Sequence, residues 1–279
     1  NHKTVFTGSK FGTITVVIDE FTVEITTYRI DGNYIDGRHP SSVVFSNSLF
    51  EDLSRRDFTM NAIAFNGAVI DPFHGLDDIK KRIIRCVGEP QIRFNEDALR
   101  ILRAIRFSAQ LSFSIDVKTS DAIKKQYREL NKVSCERKTL ELLKILDCKK
   151  IGNILLEYKN IFEYLIFNKY QINENYWQSC CKAIDLCKNC GQKLAVLYYY
   201  YIKTNNEIPN EHIDKLKLPK KLKIQINDIV KTIDYPLFPK DYSIKFALNK
   251  MDKNLFFDLL TVLKAIQIAE KKDTTVLNK

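Results

Sequence analysis

The sequence lacks several features that would point to particular kinds of protein. None of its apolar runs approaches the roughly 20 residues of a membrane span, which argues against a transmembrane helix. Asn1 to Thr4 lead into no signal-peptide pattern. Only four histidines occur, and none belongs to a His-Asp metal motif. The seven cysteines are an odd number scattered along the chain, so we expect free thiols rather than a disulfide framework.

The cysteines offer one weak metal-binding pattern. Cys187-x-x-Cys190 has the spacing of a zinc-ligand pair. Cys180 and Cys181, however, are directly adjacent, and no histidine lies nearby. We therefore do not expect a zinc site in this region.

Positive charge is unevenly distributed. The chain has 44 Lys and Arg against 34 Asp and Glu, and residues 1–110 hold 14 of each sign. The excess thus lies in the remaining residues, where 28 of 30 cations are lysine, whereas ten of the first 14 are arginine. Arginine suits planar, bidentate recognition and lysine acts as a mobile point charge. The division is compatible with planar recognition of a ligand in the first part and contact with a polyanion in the second. A coding bias toward A and T would also favour lysine throughout.

The most informative segment runs from Asn95 to Phe107, where a carboxylate pair precedes three arginines spaced three residues apart. The segment has no Gly or Pro and is rich in Leu, Ile and Ala, so we predict a continuous helix. Residues three apart on a helix are neighbours, and four of them would spread over about half of the cylinder. These four are Asp97, Arg100, Arg103 and Arg106.

Such a helix could read the edge of a base. Cytosine and adenine present an amino donor beside a ring-nitrogen acceptor, so Asp97 would accept from the amino group and Arg100 would donate to the ring nitrogen. Guanine and uracil place a carbonyl opposite Asp97, which leaves a polar group unpaired at a cost of about 1–3 kcal/mol. Arg103 and Arg106 would contact the triphosphate or hold the acidic side chains. An amphipathic helix with ordinary salt bridges is the alternative interpretation.

Other motifs accompany this segment in a fixed order. They are Arg38-His39-Pro40, Arg55-Arg56-Asp57-Phe58-Thr59-Met60-Asn61-Ala62 and Val69-Ile70-Asp71-Pro72-Phe73-His74-Gly75-Leu76-Asp77-Asp78-Ile79. Together with Glu96-Asp97-x-x-Arg100 they resemble the class II tRNA nucleotidyltransferases, which comprise the bacterial CCA-adding enzymes and the related bacterial poly(A) polymerases. The resemblance extends from about Gly8 to about Glu141, roughly half of the chain.

The resemblance implies an α+β fold with three parts. A nucleotidyltransferase head with a small mixed sheet, incomplete at its N-terminus, would occupy residues 1–75. A helical neck that selects the nucleotide and binds RNA would follow over residues 76–150. A helical body and tail that bind tRNA would complete the chain over residues 151–279.

Local patterns predict several elements. We expect a hairpin with strands Thr13–Ile18 and Phe21–Tyr28, then a loop over residues 30–50. Phe58–Phe65 begins a short helix, an Asn66-Gly67 turn leads into a short strand, and the chain is helical from about Asp77. We also expect a turn or hinge at Asp71–Gly75 and a helix capped by Ser134 that runs to Leu146. Tyr198–Tyr201 are expected to pack in a helix core. Helices should break at Asn173, residues 205–209, Pro219 and residues 236–239.

The resemblance also implies an activity, which is the addition of C and A from CTP and ATP to the 3′ end of tRNA. Pyrophosphate would be released, no nucleic-acid template would be used, and the enzyme would be cytoplasmic. The nucleotide-binding residues that it implies are Arg56, Asp57, Asn61, Asp97, Arg100, Arg103 and Arg106. Arg56 would contact the nucleotide, Asp57 would lie near the ribose, and Glu96 would orient Arg100 or Arg103. A surface ion cluster is the alternative for Arg55-Arg56-Asp57.

The same resemblance implies Mg²⁺ as cofactor, held in the family by an Asp-x-Asp strand that follows a Gly-Gly loop and an Arg-Asp pair. This sequence contains no such block. We therefore expect that it is incomplete at its N-terminus and that the chain alone is inactive. Glu24 is the possible third carboxylate, with a solvated residue on a sheet face as the alternative. Lys220, Lys221 and Lys223 are the candidate RNA-binding residues.

Four other functions stay open on the sequence alone. A poly(A) polymerase, or an enzyme that adds only CC or only A, would use the same base-reading residues. A non-catalytic RNA-binding protein that has lost its metal site is a further alternative. The coding sequence upstream of Asn1 discriminates between the last possibility and an enzyme.

Overall fold

The computed structural model describes residues 3–6, 12–32, 42–168, 171–207, 210–233 and 252–272. The chain divides into two compact units. Unit 1 comprises residues 1–108 and 112–133, and unit 2 comprises residues 109–111 and 134–279. Within the described ranges, no helix is both long and apolar enough to cross a membrane. The predicted domain boundaries after residues 75 and 150 stay predictions.

Unit 1 begins with a three-stranded antiparallel sheet in the order β1-β2-β3. Its strands are β1 Lys3–Val5, β2 Thr13–Ile18 and β3 Phe21–Thr26. The β2–β3 hairpin confirms the predicted pair of strands, with Thr15 opposite Glu24. Asp19 takes a positive φ of 52° in the turn between them. β-branched residues stiff at χ1 dominate both strands and suit the pleated backbone.

The expected loop over residues 30–50 is wrong at its two flanks. β4 Arg29–Asp31 and β5 Val43–Phe45 form an antiparallel ladder in which Ile30 faces Val44. A ladder satisfies the backbone groups of these apolar, β-branched segments, and the glycines on which the loop prediction relied lie between the strands or beside them. The Arg38-His39-Pro40 motif lies outside the described residues.

The segment from Phe58 to Phe65 contains less helix than expected. α1 Leu49–Ser54 is followed by a single 3₁₀ turn at Thr59–Asn61, so the predicted helix from Phe58 to Phe65 is wrong in extent. β6 Ala64–Phe65 and β7 Val69–Ile70 then form a hairpin across the predicted Asn66-Gly67 turn. Gly67 has a φ of +74°, a conformation that glycine adopts at no steric cost.

The rest of unit 1 is mainly helical. Its helices are α2 Gly75–Lys81, α3 Pro90–Glu96, α4 Leu99–Leu111 (residues 109–111 belong to unit 2) and α5 Val117–Gln126, followed by a 3₁₀ segment at Tyr127–Lys132. The expectation that the chain is helical from about Asp77 is wrong at β8 Ile83–Ile84 and β9 Ser114–Ile115, which pair in parallel. Each is only two residues long, too short to give a strand periodicity in sequence.

The core of unit 1 contains the apolar face of α4. Ile101, Leu102 and Ile105 are fully buried, as are Phe58 and Phe94. Ile101, Leu102 and Ile105 stand at positions i, i+1 and i+4 of α4, a spacing that keeps one side of a helix apolar. The arginines therefore project from the other side of α4.

Unit 2 is entirely helical in its described part. Its helices are α6 Cys135–Leu146, α7 Gly152–Glu157, α8 Lys159–Phe167, α9 Glu174–Leu186, α10 Cys190–Asn205, α11 Asn210–Lys215, α12 Lys220–Thr232 and α13 Lys253–Ala269. The bounds of α6 are confirmed, although the Ser134 side chain makes no capping hydrogen bond. The predicted breaks at Asn173, Asn205 and Pro219 are confirmed, and residues 236–239 lie outside the described ranges.

The tyrosine run packs in the core of unit 2, as predicted. Tyr198, Tyr200 and Tyr201 on α10 are fully buried, and Phe167 stacks on Tyr201 with ring centroids 4.6 Å apart. Burial also raises the pKa of Tyr198 and of Tyr200. All seven cysteines lie in described residues and none forms a disulfide. The two units and the small sheets together make the protein an α+β fold.

Candidate nucleotide-binding site

One buried carboxylate organises the arginine pair at the end of α1. Asp52 is 1% exposed, and its Oδ1 lies 2.5 Å from Arg55 Nη2 while its Oδ2 lies 3.2 Å from Arg56 Nη2. Burial by itself would raise the pKa of Asp52, but the hydrogen bonds and charges of Arg55 and Arg56 outweigh it and lower the pKa below 3.8. Asp52 is therefore an ionised anchor for both guanidinium groups.

Arg56 and Asp57 connect this anchor to the turn that follows. Arg56 Nη1 donates to the carbonyl of Asn61 at 3.0 Å, and Asn61 Nδ2 donates to Asp57 Oδ1 at 3.0 Å. The same Oδ1 accepts from the backbone N–H of Phe58 at 2.9 Å. Three predicted site residues thus form one hydrogen-bonded cluster.

Arg103 of α4 closes this cluster. Its Nε and Nη2 lie 2.8 Å and 2.6 Å from Asp57 Oδ2, so the carboxylate binds protein groups through both oxygens. Asp57 is only 9% exposed. A ribose hydroxyl near Asp57 would have to share the carboxylate with Arg103, which gives Asp57 a structural role in addition to the predicted one.

The predicted continuous helix from Asn95 to Phe107 is wrong, because the chain breaks at Asp97. α3 ends at Glu96, Asp97 is extended with φ −144° and ψ 103°, and α4 begins at Leu99. The Asp97 Oδ1 accepts from the backbone N–H of Leu99 at 3.0 Å, a local contact through which Asp competes with helix. Asp97 therefore lies at a junction before α4 rather than on the same helical face as the three arginines.

Arg100 is held at this junction by backbone carbonyls and by Glu96. Its Nη1 donates to Glu96 Oε2 at 2.6 Å and to the carbonyl of Arg93 at 3.2 Å, and its Nη2 donates to the carbonyl of Arg55 at 3.0 Å. The remaining donors, Nε–H and the second hydrogen of Nη2, make no hydrogen bond to the described residues. Arg100 thus has a fixed plane and two donors for a ligand.

Arg106 lies on the arginine face of α4 as well. Its guanidinium carbon is 4.2 Å from the centroid of the Phe107 ring, and that of Arg103 is 5.3 Å away. Phe107 in turn meets Phe58 edge-on with centroids 5.8 Å apart. The two arginines are partly exposed beside an aromatic ring, an arrangement that lowers their side-chain mobility.

Glu24 does not form a metal site with other described residues. It is exposed on β3, opposite Thr15. No group of three His, Cys, Asp or Glu residues in the described ranges is placed to hold a metal ion. One carboxylate supplies too few of the oxygen ligands that Mg²⁺ requires. The described residues therefore do not fit the magnesium site that the resemblance implies.

The candidate RNA-binding lysines begin α12 in unit 2, where they differ in their surroundings. Lys220 and Lys221 are exposed, whereas Lys223 forms an ion pair with Asp214. Lys221 also lines a cavity of about 580 Å³ whose other charged residues are all acidic. They are Asp147, Asp228, Asp252 and Asp258. Lys220 is thus the member of the trio with the least local neutralisation.

Two residues of the site were missed in the sequence, namely Asp52 and Arg93. Asp52 precedes Arg55 and Arg56 by three and four residues, and Arg93 precedes Glu96 by three. These are the spacings at which helical side chains meet. The signal was present, but it is shared by many surface ion pairs and could not be distinguished from them.

Two family models match the chain. The Poly A polymerase head domain matches residues 1–85, and the model described as the probable RNA and SrmB-binding site of polymerase A matches residues 112–166. The first match includes Asp52, Arg56 and Asp57. The interval between the two matches contains Asp97 and Arg100.

Curated relatives carry the name CCA-adding enzyme. The one from Geobacillus thermodenitrificans is 53% identical over 146 residues, which cover 52% of this chain and 36% of the relative. The one from Leuconostoc citreum is 42% identical over 205 residues, which cover 72% of this chain and 49% of the relative. The chain therefore spans at most about half of the curated relatives it matches.

A solved structure agrees in fold. The crystal structure of the CCA-adding enzyme of Bacillus stearothermophilus in complex with CTP has a TM-score of 0.74 and 30% identity, covering 96% of this chain and 64% of that one. This structural match covers 96% of the chain, whereas the sequence alignment to the Geobacillus thermodenitrificans relative covers 52%. The motifs, the two family models and the fold are those of tRNA nucleotidyltransferases and bacterial poly(A) polymerases, to which this chain is similar.

Proposed function

We propose that the protein takes part in adding C and A, from CTP and ATP, to the 3′ end of tRNA, with protein side chains choosing the base. Arg100 carries this proposal. Its guanidinium is fixed by three hydrogen bonds and retains two donors, and Arg100 lies at the same junction of α3 and α4 as Asp97. A rigid donor pair next to an acceptor is the complement of the amino group and ring nitrogen that cytosine and adenine share.

The surrounding cluster suits the rest of a nucleotide. Arg56 and Arg106 are partly exposed and lie on the same unit as the base-reading pair. Guanidinium groups bind phosphate oxygens in a bidentate manner. We assign these two arginines to the triphosphate and assign Arg103 to holding Asp57. Asn61 is assigned to the ribose side because it already shares Asp57.

Nucleotidyl transfer generally uses divalent cations, and the described residues do not supply their ligands. The proposal for this chain therefore concerns choice of nucleotide and binding of tRNA, with pyrophosphate release as the expected outcome in the complete enzyme. The curated relatives named CCA-adding enzyme support C and A addition over poly(A) synthesis.

Nucleotide incorporation into a tRNA that lacks its 3′ CCA tests the proposal. The chain and the full product of its gene are each supplied with Mg²⁺ and with the four nucleoside triphosphates, separately and in pairs. We expect the full product to add C and then A and to stop. Runs of A alone would instead indicate a poly(A) polymerase. Addition of only CC or of a single A would indicate a CC-adding or an A-adding enzyme. Binding of tRNA without incorporation of any nucleotide would contradict an enzymatic function.

A further inference from the structure

Two arginines share one carboxylate at the junction of α3 and α4. Glu96 binds Arg93 Nη2 through Oε1 and Arg100 Nη1 through Oε2, each at 2.6 Å. The three side chains are between 11% and 20% exposed. Charge-assisted hydrogen bonds in such sheltered surroundings are short and restrict rotation of both partners. Arg93 and Arg100 are thus coupled through Glu96.

Both arginines also reach the end of α1. Arg93 Nη1 donates to the carbonyl of Ser54 at 3.0 Å, and Arg100 Nη2 donates to the carbonyl of Arg55 at 3.0 Å. The last carbonyls of a helix have no partner within it, so they are available to such donors. The junction that holds Asp97 and Arg100 is therefore fastened to the residues directly before Arg56 and Asp57.

We propose that Arg93 is a positioning residue for nucleotide selection, acting by orienting Glu96 and Arg100 against the end of α1. The inference rests on the proposed function, in which Arg100 reads a base edge. The forked guanidinium of Arg93 binds the Ser54 carbonyl through Nη1 and Glu96 through Nη2, and lysine lacks this fixed planar fork. Without Arg93, the Glu96 carboxylate is held from one side, and the two remaining donors of Arg100 lose their fixed direction.

The test compares Arg93→Lys with wild type by equilibrium binding of CTP, ATP, UTP and GTP to the complete chain. We expect CTP and ATP to bind about tenfold more weakly and their preference over UTP and GTP to shrink by a similar factor. Arg85→Lys is the matched control. Arg85 also bridges two groups in unit 1, Asp78 at 3.1 Å and Asp116 at 2.5 Å, and its replacement should lower the melting temperature without changing the preference.

Glu96→Gln alone covers the case in which Arg93→Lys folds poorly, and a double-mutant cycle measures the coupling where both variants fold. Glu96→Gln keeps the shape of the side chain but accepts less strongly from two guanidinium groups. If Arg93 acts through Glu96, the double variant should lose no more selectivity than Glu96→Gln alone.

The outcomes separate the two proposals. A wild-type chain that binds all four nucleotides equally would overturn the proposed function and this inference with it. A selective wild type whose Arg93→Lys variant loses stability but keeps the CTP-to-UTP ratio would overturn only the inference. Additive losses of selectivity in the double variant would also contradict a role exerted through Glu96.

Discussion

Asp52 holds two arginines at the end of α1, Arg55 and Arg56, and is itself almost fully buried. Arg55 and Arg56 both bind its carboxylate, and Arg56 continues to the carbonyl of Asn61. Removing one partner from a sheltered ion pair leaves the other partner uncompensated. Substitution of Asp52 is therefore expected to affect stability and arginine placement together.

Asp52 should make stability depend on pH in acid. Its folded pKa lies below 3.8, so the ionised carboxylate stabilises the fold above that value, and the contribution is lost as the pH falls through the lowered pKa. Asp52→Asn should lower the free energy of unfolding at pH 7 by about 1–3 kcal/mol and flatten its decline below about pH 4.

Urea unfolding at pH 7 and at pH 3 measures both effects. Asp77→Asn is the control, because Asp77 is largely exposed and lies 4.0 Å from its partner Lys80, a geometry that contributes little. An Asp52→Asn variant with the stability and acid profile of wild type would show that the carboxylate is not the anchor described.

At the scale of elements, α2 packs against the 3₁₀ turn through a glycine. A Cβ built on Gly75 would lie 2.2 Å from the carbonyl oxygen of Thr59, and that carbonyl belongs to the backbone beside Asp57. Asp71 accepts from the N–H groups of Gly75 and Leu76 at 2.7 Å and 2.8 Å, which fixes the start of α2. Whether the Asp71–Gly75 segment also acts as a hinge stays a prediction.

Gly75→Ala should therefore be strongly destabilising, by about 2 kcal/mol or more, since the backbone of α2 or of the turn must move. Gly67→Asn is the matched control. Nothing lies within 4 Å of a Cβ at Gly67, and Asn tolerates its positive φ. Thermal unfolding of both variants checks the difference. Equal melting temperatures for Gly75→Ala and wild type would contradict the close approach.

The hairpin and the helices of unit 2 could be predicted from sequence, because local patterns determine them. A run of β-branched residues identified Thr13–Ile18, and Asn173 and Pro219 marked breaks between helices. The break at Asp97 could not be predicted, because helix propensity favours continuation there. A single side chain-to-backbone contact with Leu99, together with the Arg100 bonds to Arg93 and Arg55, outweighs that propensity.

The candidate residues could be chosen from the sequence, but their arrangement could not. The spacing of Asp97 and Arg100 identified both residues, and the motif around Arg56 identified the second cluster. Contacts across more than forty positions, such as Arg103 with Asp57 and Arg100 with Arg55, leave no periodic signal in sequence. The partner of each arginine is therefore information that only the structure provides.

At the scale of the whole molecule, the excess of positive charge belongs to the lysine-rich residues after 110. Phosphate contacts by such residues release counterions and make RNA binding depend on salt. The structure divides the predicted trio, because Asp214 neutralises Lys223 while Lys220 has no acidic neighbour in the described contacts. Charge count alone therefore overstates what α12 offers to an RNA backbone.

Replacing Lys220 and Lys221 by alanine together should weaken tRNA binding and lower the slope of log affinity against log salt by about one to two. Lys223→Ala, the control, should change the slope much less, because its charge is already compensated by Asp214. Filter binding at several salt concentrations provides both slopes. An unchanged slope in the double variant would show that these lysines are only solvated.

The most direct test of base choice by Asp97 and Arg100 is competitive binding of the four nucleoside triphosphates to wild type and to Asp97→Asn. Asparagine keeps an oxygen that can accept from Leu99 N–H, so α4 still begins correctly, but it places an amino donor where the carboxylate had an acceptor. We predict that wild type prefers CTP and ATP and that the variant loses this preference, because asparagine no longer accepts from the base amino group. An unchanged preference for CTP and ATP in Asp97→Asn would contradict base selection by these two side chains.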